Sequence, residues 1–231
     1  VGHAFPAMDF DFESFTLAAS TADLADEPRA REHADCLEYR MDLATDPLGA
    51  LESYNGELPI LATNRAEWEG GEAEDDGRLE ALAEAVTVDA VGAIDVELAA
   101  VLEGDADWVL EQARDAGVSI VVSAHDFEGT PSRPDLVRTL TEAGKYGDVA
   151  KLAVTATSKT ETIVLLSATE QLTAHGDSVA TMAMGEVGQH TRAVAPVYGS
   201  KIGYAPVDPA NATAPGQYDL ETLSKLVTAL E

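Results

Sequence analysis

Short runs of apolar and β-branched residues recur along the chain at Phe15 to Ser20, Cys36 to Arg40, Pro59 to Thr63, Ala93 to Glu97, Ser119 to Ser123, Ala150 to Val154, Ser178 to Ala183 and Ser200 to Tyr204. Runs of this length with little polar interruption suit strands buried on both faces. Between them lie segments with helical spacing: Arg78 to Val86, Asp105 to Ala116, Arg133 to Ala143 and Ser158 to His175. In the third of these, Leu136, Val137 and Leu140 share one face, while Pro134 and Asp135 suit a first turn.

Strands alternating with helices predict a parallel sheet. Eight strands joined by right-handed crossovers can close into a (β/α)8 TIM barrel, and 231 residues leave about 29 for each unit, which is compact but workable. No glycine-rich phosphate loop follows the first strand, where the chain reads Ala18-Ala19-Ser20-Thr21-Ala22-Asp23. An open dinucleotide-binding sheet, and with it a nucleotide cofactor, therefore has no support. Residues 1–7 precede Met8 without periodicity and are taken as a remnant of recombinant expression. The barrel is expected to occupy residues 8–231 as one catalytic domain. Tyr204 to Tyr218, with three prolines and Gly216, reads as a long loop at the strand C-terminal ends, where such loops usually carry function.

Composition narrows the setting. The longest apolar stretches, such as Val118 to Ala124 and Ile163 to Ala168, fall far short of the roughly 20 residues a membrane-spanning helix needs. No secretion signal is legible, so a cytoplasmic address is expected. The lone cysteine, Cys36, has no internal disulfide partner, and no zinc-type spacing occurs. It reads as a small buried hydrophobe. Forty-two Asp and Glu against 14 Lys and Arg give a net charge of −28. Nucleic acid is an unsuitable partner for such a chain, because phosphate neutralisation needs clustered cations. A folded core under a strongly acidic skin, as in salt-rich cytoplasm, fits the charge better than disorder does.

Chemistry is read from parity, because alternate residues of a barrel strand point inward. Glu38, Arg40 and Asp42 share one parity, and Asp95 and Glu97 alternate with Ile94 and Val96. Charges facing one way from apolar strands are costly unless they pair or bind a polar ligand. The third strand ends in Thr63-Asn64-Arg65 with Glu69 four residues on, and the fifth delivers Ala124-His125-Asp126. A histidine there suits proton transfer. Of five lysines, Lys151 alone starts an apolar run between Ala150 and Leu152. Burial beside Arg40 or Arg65 would favour the neutral amine that imine formation requires. Lys201 is the competing strand lysine, without acidic or histidine neighbours in sequence. Arg192, beyond Met182-Ala183-Met184-Gly185, can grip a carboxylate with two parallel hydrogen bonds. His3, His33, His175 and His190 lack such surroundings and read as surface or tag residues.

In order along the chain stand Glu38-Tyr39-Arg40-Met41-Asp42, Thr63-Asn64-Arg65 with Glu69-Gly70-Gly71, Asp95-Val96-Glu97 and Ser123-Ala124-His125-Asp126-Phe127. They continue with Ala150-Lys151-Leu152-Ala153, Ala183-Met184-Gly185 with Arg192, and Ala214-Pro215-Gly216-Gln217. Each is weak alone, but seven in order resemble the type I 3-dehydroquinate dehydratases of the shikimate pathway over essentially the whole chain after Met8. The resemblance implies dehydration of 3-dehydroquinate to 3-dehydroshikimate without metal or organic cofactor, by a homodimer. It also implies that Lys151 forms a Schiff base and that His125 is the general acid and base. Glu69 would orient the histidine and favour its protonated form. Arg192 would bind the substrate carboxylate, and Glu38, Arg40, Arg65 and Gln217 the ring hydroxyls, with the Gln217 loop as a lid. Thr213 stands where the family commonly has serine, keeping the hydroxyl but adding a methyl. Two other readings share the barrel: a class I aldolase, which splits a carbon–carbon bond through the same kind of imine, and a non-catalytic metabolite-binding module.

Overall fold

A computed structural model describes residues 10, 12–212 and 214–230. The eight strands are β1 (Thr16–Thr21), β2 (Cys36–Arg40), β3 (Ile60–Thr63), β4 (Val91–Glu97), β5 (Ser119–Asp126), β6 (Val149–Thr155), β7 (Val179–Met184) and β8 (Ile202–Pro206). All are parallel in the order β7-β6-β5-β4-β3-β2-β1-β8. The ends of this order meet where Lys201 N donates to Val179 O (2.8 Å) and Thr181 N to Ser200 Oγ (3.0 Å), so the sheet is a nearly closed barrel. Residues 1–7, read as an expression remnant, lie outside the described residues.

Two hydrophobic clusters divide the strands by parity. Leu37, Tyr39, Ile94, Val96, Ile120 and Val122 face outward into the layer between sheet and helices. Ala18, Cys36, Leu61, Ala93, Val121 and Val149 face inward and fill the lower barrel. Phe12 is buried there too, and Ser119 Oγ donates to Phe10 O at 2.6 Å, so the N-terminal segment plugs that end. Apolar packing thus dominates the N-terminal half of the interior, where Thr16 and Ser119 also have inward parity, and the charged inward positions lie toward the strand C-terminal ends.

The helices expected from periodicity are present at Arg78–Ala85, Asp107–Ala116, Arg133–Ala143 and Lys159–Ala174. Ser158 caps the last of these in a capping box with Glu161. Most strand bounds move by one or two residues, and two of these differences bear on the site. β5 continues to Asp126, which puts His125 on the strand itself. β8 is shifted to Ile202–Pro206, because Ser200 and Lys201 form the closing contacts with β7. The loop read from Tyr204 therefore starts only after Pro206. β2 ends at Arg40 as expected, but Met41–Leu43 form a single 3-10 turn, so Asp42 does not share the strand's parity with Glu38 and Arg40.

Candidate active site

The inward residues above the apolar layer come from successive strands at matched heights: Ser20 beside Glu38, Arg40 beside Thr63, Thr63 beside Asp95, Glu97 beside Ser123, and Ser123 beside Lys151. Buried charges at such density must satisfy one another. Lys151 Nζ donates to Asp95 Oδ2 at 2.8 Å and lies 3.8 Å from Glu38 Oε1. Its neighbours are therefore carboxylates, where the sequence reading expected Arg40 or Arg65. Those arginines are engaged elsewhere. Arg65 donates to Asp95 Oδ1 (2.7 Å), Glu97 Oε1 (3.2 Å) and Ser123 Oγ (2.7 Å). Arg40 forks onto Asp42 through Nε (2.8 Å) and Nη2 (2.6 Å).

The network closes around each carboxylate. Asp95 also accepts from Ser123 Oγ (2.6 Å), and its carboxyl is held far below the usual range, against the cost of burial, by Arg65 and Lys151. Glu97 accepts from Arg78 Nη1 (2.8 Å) and Ala66 N (3.1 Å). Glu38 accepts from Ser20 Oγ and, at 3.4 Å, from Thr63 Oγ1. The parity argument found the carboxylates but not Arg78, Ser20 or Ser123, whose partners come from remote parts of the chain.

His125 sits one inward position above Ser123 on β5, beside Lys151's strand. Glu69 Oε1 accepts both the His125 backbone N–H (2.7 Å) and the ring contact at Nδ1 (3.1 Å). Phe127 stacks on the imidazole with centroids 5.8 Å apart and planes 8° from parallel. With Nδ1 turned to Glu69, Nε2 is the nitrogen left to move a proton. Burial first, then the Arg65 and Lys151 charges, pulls the imidazole well below its ordinary value. These influences run against the preference for a protonated ring that the resemblance implies. Glu69 is shifted the other way, upward, chiefly by burial. Both shifts favour a neutral imidazole, the form that accepts a proton.

Arg192 lies across this network. It is 4% exposed, and its Nε has no hydrogen-bond partner among the described residues. Burial pushes the guanidinium down to about 10, with Glu38 the charge that opposes the shift. Gln217 is half-buried, and its Oε1 accepts from Ala214 N at 3.2 Å. That loop is pinned by Gly185 N donating to Pro215 O (3.1 Å), and Gly216 is required there: a Cβ would stand 2.3 Å from Gly185 O. Glu38, Arg40, Arg65, Glu69, His125, Lys151, Arg192 and Gln217 all line one cavity at the strand C-terminal ends. Thr213, the remaining candidate, lies outside the described residues. Lys201 is not in this cavity, and its amine reaches the Glu13 carbonyl.

Tyr204 is a site residue that the sequence reading missed. Its ring face lies 4.1 Å from Lys151 Nζ, and its buried hydroxyl has no partner among the described residues. Burial drives the phenol well above its usual value. It pairs with Ala18 of β1 and lies in the middle of β8, whereas the expected strand Ser200 to Tyr204 had it as the last residue. Among the described residues, no group of three or more His, Cys, Asp or Glu is placed to hold a metal ion. No helix of the described residues is long and apolar enough to cross a membrane.

A (β/α)8 barrel with a buried lysine, a neutral histidine and an unpaired arginine converging at the strand C-terminal ends is the architecture of a barrel enzyme. The type I 3-dehydroquinase family model matches residues 14–231. The chain is 60% identical to the 3-dehydroquinate dehydratase of Haloarcula marismortui, over 96% of this chain and 98% of the relative. It is 52% identical to that of Halobacterium salinarum, over 96% and 100%. Among solved structures, the Geobacillus kaustophilus 3-dehydroquinate dehydratase superposes with a TM-score of 0.83 at 29% identity, covering 94% of this chain and 91% of that one. The Clostridium difficile type I enzyme, solved with covalently modified comenic acid, gives 0.81 at 26% identity, covering 94% and 92%. The chain belongs to the type I 3-dehydroquinase family.

Proposed function

We propose that this protein dehydrates 3-dehydroquinate to 3-dehydroshikimate through an imine on Lys151, with His125 moving the proton. The observation that carries the reading is the convergence of three unlike groups on one cavity. These are an amine fixed by carboxylates, an imidazole whose charged form is disfavoured, and a guanidinium whose Nε has no partner among the described residues. The relatives named 3-dehydroquinate dehydratase support the substrate. The Clostridium difficile relative's covalently modified ligand is in keeping with covalent chemistry in this family.

In this reading the substrate carboxylate takes the partner position that Arg192 lacks, which sets the ring's orientation. Lys151 Nζ, once it has given up a proton, bonds to the ketone carbon. The carbonyl oxygen leaves as water and an iminium remains. Its positive charge acidifies the adjacent C–H bond. His125 takes that proton, and the C–H electron pair becomes the double bond of an enamine. The enamine then expels the neighbouring hydroxyl, which leaves as water with the proton His125 returns. A second water hydrolyses the iminium and frees the conjugated enone. One histidine serves both transfers because the proton and hydroxyl leave from one face. Glu38, Arg40, Arg65 and Gln217 are assigned to hold the ring hydroxyls; Arg65 also holds Asp95, so its removal would disturb the amine as well.

The same reading carries a homodimer in a salt-rich cytoplasm. A native mass of one chain in high salt would count against the dimer, and an unchanged fold after desalting against the need for salt. The decisive experiment follows enone absorbance when the protein meets 3-dehydroquinate in high salt, with borohydride trapping in parallel. Wild type should form product and gain a substrate-derived mass on Lys151, and Lys151→Ala should do neither. Folded wild-type protein that forms no product across a range of salt concentrations would overturn the assignment.

A further inference from the structure

Glu69 meets His125 from an unpromising support. It belongs to a single 3-10 turn, Glu67–Glu69, in which no residue is buried, and exposed turns of this kind belong to the least stable parts of a fold. Yet the Glu69 carboxylate must stay within hydrogen-bond distance of both the His125 backbone and ring. What fastens the turn is its central residue. Trp68 is 46% exposed, but its indole N–H donates to Asp75 Oδ1 at 2.8 Å, and its ring covers the Arg78 guanidinium at 5.4 Å. Arg78 is itself buried, donates through Nε to the same Asp75 oxygen (3.3 Å), and donates through Nη1 to Glu97 Oε2 (2.8 Å).

The other end of the turn leads to the same carboxylate. Ala66 N donates to Glu97 Oε1 at 3.1 Å, and Gly71 N returns to Ala66 O at 2.9 Å. The turn is therefore strapped to Glu97 twice, directly through the backbone of Ala66 and indirectly through Trp68 and Arg78. Glu97 does not move with it, because Arg65 holds it from within the barrel. We infer that Trp68, with Asp75 and Arg78, is a positioning unit that holds Glu69 against His125 and so sets the geometry of proton transfer. A tryptophan half open to solvent is not needed for the core. Its ring and N–H are both spent on groups that lead to the site.

This inference rests on the proposed role of His125, and its test separates the two. Trp68→Leu removes both the indole N–H and the face over Arg78, whereas Trp68→Phe keeps a ring there and loses only the N–H. Expected for Trp68→Leu in high salt is a fall in kcat of about tenfold or more, as for a misplaced proton-transfer group. KM should change less than about twofold, and the acid limb of the pH profile should move. Trp68→Phe should fall between it and wild type. Borohydride trapping on Lys151 should persist, since Asp95 does not lie on the turn. The decisive comparison is with Glu69→Ala. If Trp68 acts through Glu69, Trp68→Leu adds little to that variant. Fully additive losses, or a Trp68→Leu enzyme with wild-type kcat and pH profile, would overturn the inference. Absence of trapping or turnover in wild type would instead count against the Schiff-base reading.

Discussion

Arg65 and Arg192 are both 4% exposed and both line the same cavity, yet the protein treats them in opposite ways. Arg65, on the β2 to β6 side, is bound by Asp95, Glu97 and Ser123, and its guanidinium is driven above its ordinary value despite burial. Arg192, beyond β7, has no counterion in contact among the described residues and is driven down to about 10. The first side is complete before any ligand arrives, and its charges fix one another in place. The second holds a charge whose partner has to come from outside. Preorganisation and recognition are thus divided between two halves of one barrel mouth. If Arg192 takes the substrate carboxylate as proposed, the division also accounts for how an acidic protein can receive an anion: among the described residues its guanidinium has no ion-pair partner.

Breaking the completed side should have the largest effect, and it should be an effect on folding. Arg65→Met takes one of two cations from each of the buried carboxylates Asp95 and Glu97, leaving Lys151 and Arg78, a loss of about 3 to 5 kcal/mol in stability. Chemical denaturation in high salt measures it, and a loss below about 1 kcal/mol would mean that the carboxylates find other partners. Arg192→Leu should do the reverse. It removes a buried charge that the folded protein does not satisfy, so stability should hold or rise. The loss of the carboxylate partner should lower kcat/KM on the order of a hundredfold, about 3 kcal/mol, mainly through KM. A destabilised Arg192→Leu protein with normal KM would erase the contrast.

The unequal legibility of the two sides has a physical reason. Strand existence and order follow from short apolar runs, and inward parity exposes Glu38, Asp95 and Glu97, because a charge on an apolar strand is conspicuous anywhere. Lys151 is conspicuous for the same reason, whereas Arg192 lies beyond the seventh strand and is marked only by its place in the ordered motifs. Partners that arrive from other parts of the chain leave no such trace. Arg78 reads as the first residue of an amphipathic helix, and nothing in its neighbourhood says that it reaches Glu97. Asp42 was legible as a charge but not as Arg40's fork, since the fork exists only because the chain leaves β2 for one 3-10 turn. Tyr204 stands at the junction of the expected strand and the expected loop, and its mid-strand place is not legible there because the closing contacts of Ser200 and Lys201, which shift β8 by two residues, are tertiary. The short helices Pro47–Ser53 and Leu98–Glu103 are under two turns long, too brief for periodicity to register. The C-terminal helix Leu220–Leu230 is different: Leu220, Leu223 and Val227 carry it at helical spacing.

The smallest expected effect bears on the completed side's reach across the site. Arg65 and Lys151, after burial itself, depress the His125 imidazole, with Asp95 opposing them. In the unfolded chain a histidine titrates near about 6.5. Below that pH the unfolded state binds a proton that the folded state refuses, so stability present above about pH 6.5 is lost as pH falls toward the folded value. The slope from this one group cannot exceed about 1.4 kcal/mol per pH unit. Glu69, shifted upward, acts in the opposite sense at lower pH, which confines the clean window to just below 6.5. In that window, denaturation midpoints of wild type should fall with pH more steeply than those of His125→Asn. The acid limb of kcat/KM should also lie below 6.5, because the free enzyme's base stays neutral there. Parallel midpoints, or an acid limb at 6.5 or higher, would show that the field of the paired cations does not extend to the imidazole. The histidine would then have to be grouped with Arg192, on the side that waits for its ligand.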